Sequence, residues 1–353
     1  MTMKKILLPA VCLLLLTISL ATSSHAQTKS ALGALAVSPD GKTLVAAGYN
    51  RVMYVCNPDD LTVNKRIYLN IVPYEAFFSS DGSSLVIFSS DKVITIYDTA
   101  TWKRKAEIKK TYDIAIASKT NEMVVMHGTK YRDSKRFTPV AVYDLSTGEK
   151  KCETSFEMDG YAIGTNEDAS QVIVISRART DESEAKEKTP KELEGMERDE
   201  FEQKHDGRIA DVLWLDGELK ETNRYSSFYS DSGNNVCLIK DHVATFIVYR
   251  NRCATLSPDG DIKLFRTGTS YNYGIGVSPD GKTLASGGLA TGMVMDIDKK
   301  TSISFDHPRL PGFPEYFYGF AFGADGTIYG GTSAWRIIKI SPEGEVLSET
   351  PIF

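Results

Sequence analysis

Hydrophobic and polar residues follow one another in short blocks along this chain. Residues 33–69 divide into GALAV, a turn, TLVAAG, a break, RVMYVC, the turn NPDD, and TVNKRIYL. Each run is short, rich in Val, Ile and aromatics, and bounded by Gly, Pro, Asp or Asn. That pattern predicts four strands joined by tight connections. The first turn, SPDG, has a mechanism: proline presets φ, aspartate bonds nearby backbone, and glycine accepts a positive φ.

The block recurs. With the residue before each turn as marker, units follow Val37, Phe78, Ile116, Thr165, Tyr229, Val277 and Phe322. Their turns are SPDGKT, SSDGSS, ASKTNE, NEDASQ, SDSGNN, SPDGKT and GADGT. From Val37 to Val277 is 240 residues and six units, so the undecorated period is 40 residues, the length of a four-stranded propeller blade. The opening runs are small (GALAV, EAFFS, DIAIA, YAIGT, YGIGV, YGFAF), and Ala and Gly suit strands crowded around a common axis. Unit five is the least regular: between Val236 and Leu264 it holds one more strand-like run than a blade needs.

The octapeptide VSPDGKTL, with IYD (Ile96 to Asp98), VYD (Val142 to Asp144) and VMD (Val294 to Asp296) farther along the units, resembles the WD40-like β-propeller repeats of exported bacterial proteins. The resemblance implies an all-β fold: one seven-bladed β-propeller of four-stranded antiparallel blades over residues 27–353. The blades fall at about 33–69, 73–109, 112–156, 159–223, 225–268, 273–306 and 317–353. True WD40 repeats carry a Gly-His pair and a Trp-Asp pair that this chain lacks, so the blades are expected to pack through apolar contacts. Unit one is complete at its start and unit seven at its end. Closure is therefore expected by packing of unit seven on unit one rather than through a composite blade.

Composition changes the picture at the N-terminus. Lys4 and Lys5, the apolar run Ile6 to Leu20, and Ser24-His25-Ala26 read as a signal peptide over residues 1–26. The apolar run is too short for a convincing membrane span. The protein is thus expected to be exported to the periplasm, the cell surface or the medium, with no transmembrane anchor and as a monomer. Removing Lys4 and Lys5 takes the formal net charge from −5 to −7, which argues against a nucleic-acid partner. Cys56, Cys152, Cys237 and Cys253 remain, with no CxxC spacing. Buried single thiols and disulfides both fit that pattern.

Two insertions lie between second and third strands. Arg177 to Arg208 in unit four is charged throughout, with a capping box at Thr189-Pro190-Lys191-Glu192 and a thin stripe of Leu193, Met196 and Phe201. It reads as a solvated helix or disordered loop, or as a partner-binding arm. His127 to Pro139 in unit three interleaves Arg132 and Arg136 with Tyr131 and Phe137, as an exposed loop or as a holder of an anionic or sugar ligand.

Four residues before the marker, six of seven units carry tyrosine: Tyr74, Tyr112, Tyr161, Tyr225, Tyr273 and Tyr318. Unit one has Gly33. Where a chain enters the innermost strand of a propeller, such residues gather at the channel mouth. They act either as wedges between blades or as a collar for a peptide or glycan, with Glu75 and Asp113 beside two of them. Arg309, Phe313 and Tyr316 from the last inter-unit loop are candidates for the same entrance. The histidines show no HxH or HExxH spacing, and there is no G-x-S-x-G elbow. No cofactor is expected. The leading expectation is a binding or scaffold module for a protein, peptide or glycan partner. The alternative is a channel-mouth hydrolase or lactonase using Glu75, Asp113 and His307 as acid and base groups.

Overall fold

The computed structural model describes residues 31–180, 191–192, 197–198, 208–228, 236–240, 243–248, 252–266, 273–289, 291–307, 312 and 314–352. The leader read over residues 1–26, Arg309, Phe313 and most of the 177–208 insertion lie outside them. Of the helix read within that insertion, Glu197 and Arg198 are described and are helical. Among the described residues no helix is long and apolar enough to cross a membrane.

The described strands form seven antiparallel sheets, five of four strands and two of five. Sheet 1 is Leu32–Val37, Leu44–Gly48, Val52–Cys56 and Val63–Tyr68, side by side in chain order. The other sheets repeat this order. Their first strands are Pro73–Phe78, Thr111–Ala117, Gly160–Thr165, Val236–Lys240, Gly274–Val277 and Phe317–Phe322.

One boundary is corrected. Tyr225, read as the start of the fifth unit, lies in the strand Glu221–Phe228, which closes sheet 4 by pairing with Arg208–Asp216. Sheet 5 runs instead from Val236 to Arg266 with four strands of its own. The surplus strand-like run in unit five thus has an address: it is a member of sheet 5, and the run around Tyr225 belongs to sheet 4. Sequence period put the boundary too early because Tyr225, four residues ahead of Tyr229 and the turn SDSGNN, has the spacing of a first strand.

Alternation decides the packing. In the second strand of sheet 1, Val45 and Ala47 face Leu85 and Ile87 of sheet 2, whereas Leu44 and Ala46 face Tyr329 and Ile337 of sheet 7. Side chains two apart share a face, so a strand buried on both faces reads as a continuous apolar run. Leu44–Gly48 is buried throughout, while the fourth strand, Val63–Tyr68, is mostly exposed and charged. The same scheme joins sheets 2 and 3, 3 and 4, 4 and 5, and 6 and 7. Sheets 5 and 6 touch through their first strands, and Lys240 donates to Asp298 at 2.8 Å. Sheet 7 packs back on sheet 1, where Tyr329 Oη donates to the Pro58 carbonyl at 3.2 Å.

The turns carry their own chemistry. In the first SPDG turn the Ser38 hydroxyl donates to Asp40 Oδ1 at 2.6 Å and accepts the Thr43 N–H at 2.9 Å. Ser278 and Asp280 repeat this with Thr283 in the second copy. Those hydrogen bonds hold both carboxyls below their ordinary range. The recurrent aspartate of IYD and VYD closes the later turn: Asp98 accepts from Thr101 N–H at 2.8 Å, and Asp144 from Ser146 N–H at 3.0 Å.

Candidate functional site

In six sheets the register between first and second strands skips one residue at the same place: Gly33, Tyr74, Tyr112, Tyr161, Cys237 and Tyr318. A skipped residue has no partner in the ladder; the strand bends there and the side chain is re-aimed. In sheet 6, Tyr273 stands just ahead of the strand, its N–H donating to the Gly287 carbonyl at 2.9 Å. Four of the six recurring tyrosines, Tyr74, Tyr112, Tyr161 and Tyr318, are therefore bulge residues. Tyr225 is not one of the set. It sits on an outer strand, accepts from Trp214 Nε1 at 3.2 Å and donates to the Ser257 carbonyl at 2.9 Å. The equivalent place in sheet 5 belongs to Cys237, which sequence spacing missed because the intervening run shifted the count.

The first strands of successive sheets lie against one another, except those of sheets 2 and 3, which meet instead through Val86 and Phe88 of the second strand packed with Ile114. A Cβ placed on Gly33 would be 3.8 Å from the Tyr74 carbonyl oxygen and 3.9 Å from that of Tyr318. Bulge positions of sheets 7, 1 and 2 are thus neighbours, and two tyrosine groups flank the glycine.

The first group spans sheets 2 to 4. The rings of Tyr112 and Tyr161 lie 6.5 Å apart at 56°. Lys92 Nζ stands 4.7 Å over the Tyr112 ring, and the Arg177 guanidinium 5.3 Å over Tyr161. Arg177 Nη2 also donates to Tyr112 Oη at 2.9 Å, and its Nε is 3.7 Å from Asp159 Oδ2. Asp159 further accepts from Arg136 and from Thr129 Oγ1. Tyr74 is 53 % exposed.

The unit-three insertion is a hairpin, Lys130–Arg132 against Lys135–Asp144, turning at Asp133 and Ser134 with φ of 50° and 62°. Two positive φ values in a two-residue loop match the twist of paired strands. Arg136 lies over the Tyr131 ring at 5.4 Å and reaches Asp159, tying the hairpin to the tyrosine group. Arg132 stays exposed at the hairpin tip, beside Asp133. The sequence reading passed over Lys92 and Arg177. For Lys92 a signal existed: a basic residue recurs three positions beyond the second strand in units one to four, as Arg51, Lys92, Lys130 and Arg179, but that spacing does not pick out Arg177.

The second group joins sheets 6 and 7. Tyr273 lies 6.0 Å from Tyr318 and 5.4 Å from Tyr316, and Tyr316 and Tyr318 are 6.4 Å apart. Burial raises the Tyr318 phenol above its ordinary pKa, with Tyr273 and Tyr316 adding to it. Tyr316 of the last inter-unit connection thus lies beside Tyr273 and the bulge residue Tyr318.

Glu75 and Asp113 follow directly on two bulge residues, where other sheets have Ala34, Ala162, Leu238 and Gly319. Burial, then the Asp113 charge, pushes Glu75 up to about 8; burial pushes Asp113 up to about 6. Lys92 opposes both shifts, and Asp113 Oδ2 accepts the Ile163 N–H of sheet 4 at 2.9 Å. At neutral pH Glu75 holds its proton and Asp113 is ionised. A carboxyl whose pKa is raised by folding destabilises the native state as pH rises from the unfolded value to the folded one. Glu75→Gln is therefore expected to stabilise the protein by a few kcal/mol at pH 9. At pH 5, where the native carboxyl is already protonated, most of that gain disappears. Denaturant midpoints at the two pH values check this; equal gains at both would contradict it.

His307 is not at this site. It is buried with Glu315 and Arg336: Nδ1 is 4.0 Å from Glu315 Oε2 and 3.5 Å from Arg336 Nη2, and the ring meets Phe317 edge-on at 4.8 Å. The groups beside it are a core ion pair and an aromatic ring, and it is not brought together with Glu75 and Asp113. Cys56 carries a free, buried thiol whose pKa burial pushes up to about 12, and Cys152 is also free. Among the described residues no group of three His, Cys, Asp or Glu side chains could hold a metal.

The chain matches no protein-family model, and no curated protein matches it.

Proposed function

We propose that this chain is an exported, single-domain, seven-bladed β-propeller of the WD40-like kind, and that it binds a partner at the mouth where the first strands converge. The supporting observation is the repeated bulge. One backbone irregularity at one place in six sheets re-aims a tyrosine in four of them. Aromatic bodies with hydroxyl tips give contact area and hydrogen bonding at low ordering cost, which suits recognition. Positive residues, Lys92 and Arg177, stand on the same face, as does the hairpin that carries Arg132 and Arg136.

The test is a glycan and peptide array probed with the full chain. Tyr74→Ala combined with Tyr273→Ala is expected to abolish the wild-type binding pattern. Tyr68→Ala, which removes a phenol 70 % exposed on an outer strand, should leave it intact. An unchanged pattern in the double variant would sink the reading.

A second reading, a hydrolase, draws on the unequal acidities of Glu75 and Asp113, since such pairs divide the acid and base roles. It requires turnover that vanishes in both Glu75→Ala and Asp113→Ala. A binding module shows no such turnover to lose.

A further inference from the structure

We propose that the tyrosine group of sheets 2 to 4 is a subsite for an acidic oligosaccharide, its carboxylate taken by Lys92 and Arg177 and its sugar ring laid against Tyr74. The inference rests on the binding reading above and names the ligand class for that face.

Both cations are held in place before any ligand arrives. Lys92 lies over Tyr112 and Arg177 over Tyr161. Arg177 is further fixed by its bond to Tyr112 Oη and by Asp159. Long basic side chains normally lose rotamer freedom on binding, and prior ordering removes part of that cost. Donors are left over. Arg177 commits Nη2 and Nε but not Nη1, and Lys92 makes no ion pair among the described residues. An ammonium and a guanidinium edge beside one phenol suit a carboxylate.

The neighbouring groups suit a sugar. Tyr74 is half exposed, so aromatic surface remains open for the C–H surface of a pyranose. Glu75 and Asp113, the next residues after Tyr74 and Tyr112, supply a protonated and an ionised carboxyl. Such a pair both donates to and accepts from hydroxyls. An extended peptide fits less well. Peptides add to an open strand edge through regularly spaced backbone groups, and each first strand here is broken by a bulge at that end.

The charge state gives the subsite a pH signature. Glu75 is faced by Asp113 from sheet 3 and by Lys92 from its own sheet, and the adjoining strand of sheet 1 offers only Gly33 and Ala34. As Glu75 ionises on going from pH 7 to 9, a second negative charge enters beside the bound carboxylate.

The experiment is titration calorimetry of the full chain with hexagalacturonate, with a neutral hexasaccharide and with hexaglutamate. Hexagalacturonate is expected to bind at least tenfold more tightly than either control. Lys92→Gln and Arg177→Gln should each weaken it about tenfold, with unchanged unfolding midpoints for Lys92→Gln. Affinity should fall about fivefold between pH 7 and 9, and Glu75→Gln should abolish that fall. If hexaglutamate binds best, or the neutral sugar binds as well as the acidic one, the proposal is overturned while the tyrosine mouth stands. If a ligand binds but neither Lys92→Gln nor Tyr74→Ala affects it, both this subsite and the mouth fail.

Discussion

Glu315→Ala is expected to cost about 3–5 kcal/mol of stability, because it strands a buried guanidinium. Glu315 is fully buried and Arg336 is 5 % exposed. Arg336 Nε donates to Glu315 Oε1 at 2.9 Å and Nη2 donates to Oε2, a two-pronged pair that Thr332 Oγ1 also joins. Without Glu315, Arg336 keeps Glu349 at 2.6 Å, whose side chain is 37 % exposed and so screened by water. The loss is a large fraction of the stability of an ordinary domain. Replacing both partners, as Glu315→Leu with Arg336→Met, should recover much of it, since the one charge then left without its partner, Glu349, is 37 % exposed and solvated. The exposed pair Lys119–Glu167, with side chains 64 % and 47 % exposed, is the control: Lys119→Ala should cost under about 1 kcal/mol. Denaturant unfolding measures all three. A cost for Glu315→Ala no larger than for Lys119→Ala would contradict the buried network.

Gly319→Ala is expected to destabilise by about 3 kcal/mol or more, at the upper end of what overpacking costs. A methyl at Gly319 would collide with the carbonyl oxygen of Gly33, the bulge residue of sheet 1. Backbone cannot rotate aside as a side chain can, so sheets 7 and 1 must separate. Gly274 repeats the situation between sheets 6 and 7, where the added methyl would lie 2.7 Å from Gly319 N. Gly128→Ala is the comparison, its nearest neighbour being the Lys110 carbonyl oxygen at 4.0 Å. That change should be close to neutral, because alanine also restricts the unfolded chain. If Gly319→Ala unfolds at the wild-type denaturant concentration, the first and last sheets do not meet as described.

Much of the fold was legible because strand pattern and turn chemistry agreed. SPDG marked turns whose serine and aspartate close them through their own side chains. Small residues in the first runs marked strands whose backbones press on one another, as Gly319 and Gly274 do. The boundary between sheets 4 and 5 was not legible. Tyr225 has the right residue type at the right spacing, and only pairing with Val212 shows it to be on an outer strand. For the site, spacing found the tyrosines but could not reveal that four of them stand in bulges, because a skipped residue looks like any other in a strand. Lys92 and Arg177 were missed since their meaning comes from the rings beneath them, which belong to other sheets. His307 was misplaced for the opposite reason: its partners, Glu315 and Arg336, lie 8 and 29 residues on and make it part of the core.

The most direct test of the mouth is fluorine NMR of the full chain labelled with 3-fluorotyrosine, each resonance assigned by single Tyr→Phe variants and followed while hexagalacturonate is added. Tyr74, Tyr112 and Tyr161 should shift together on one isotherm while Tyr68 stays fixed. Shifts at Tyr68 with the bulge tyrosines unmoved would contradict the account.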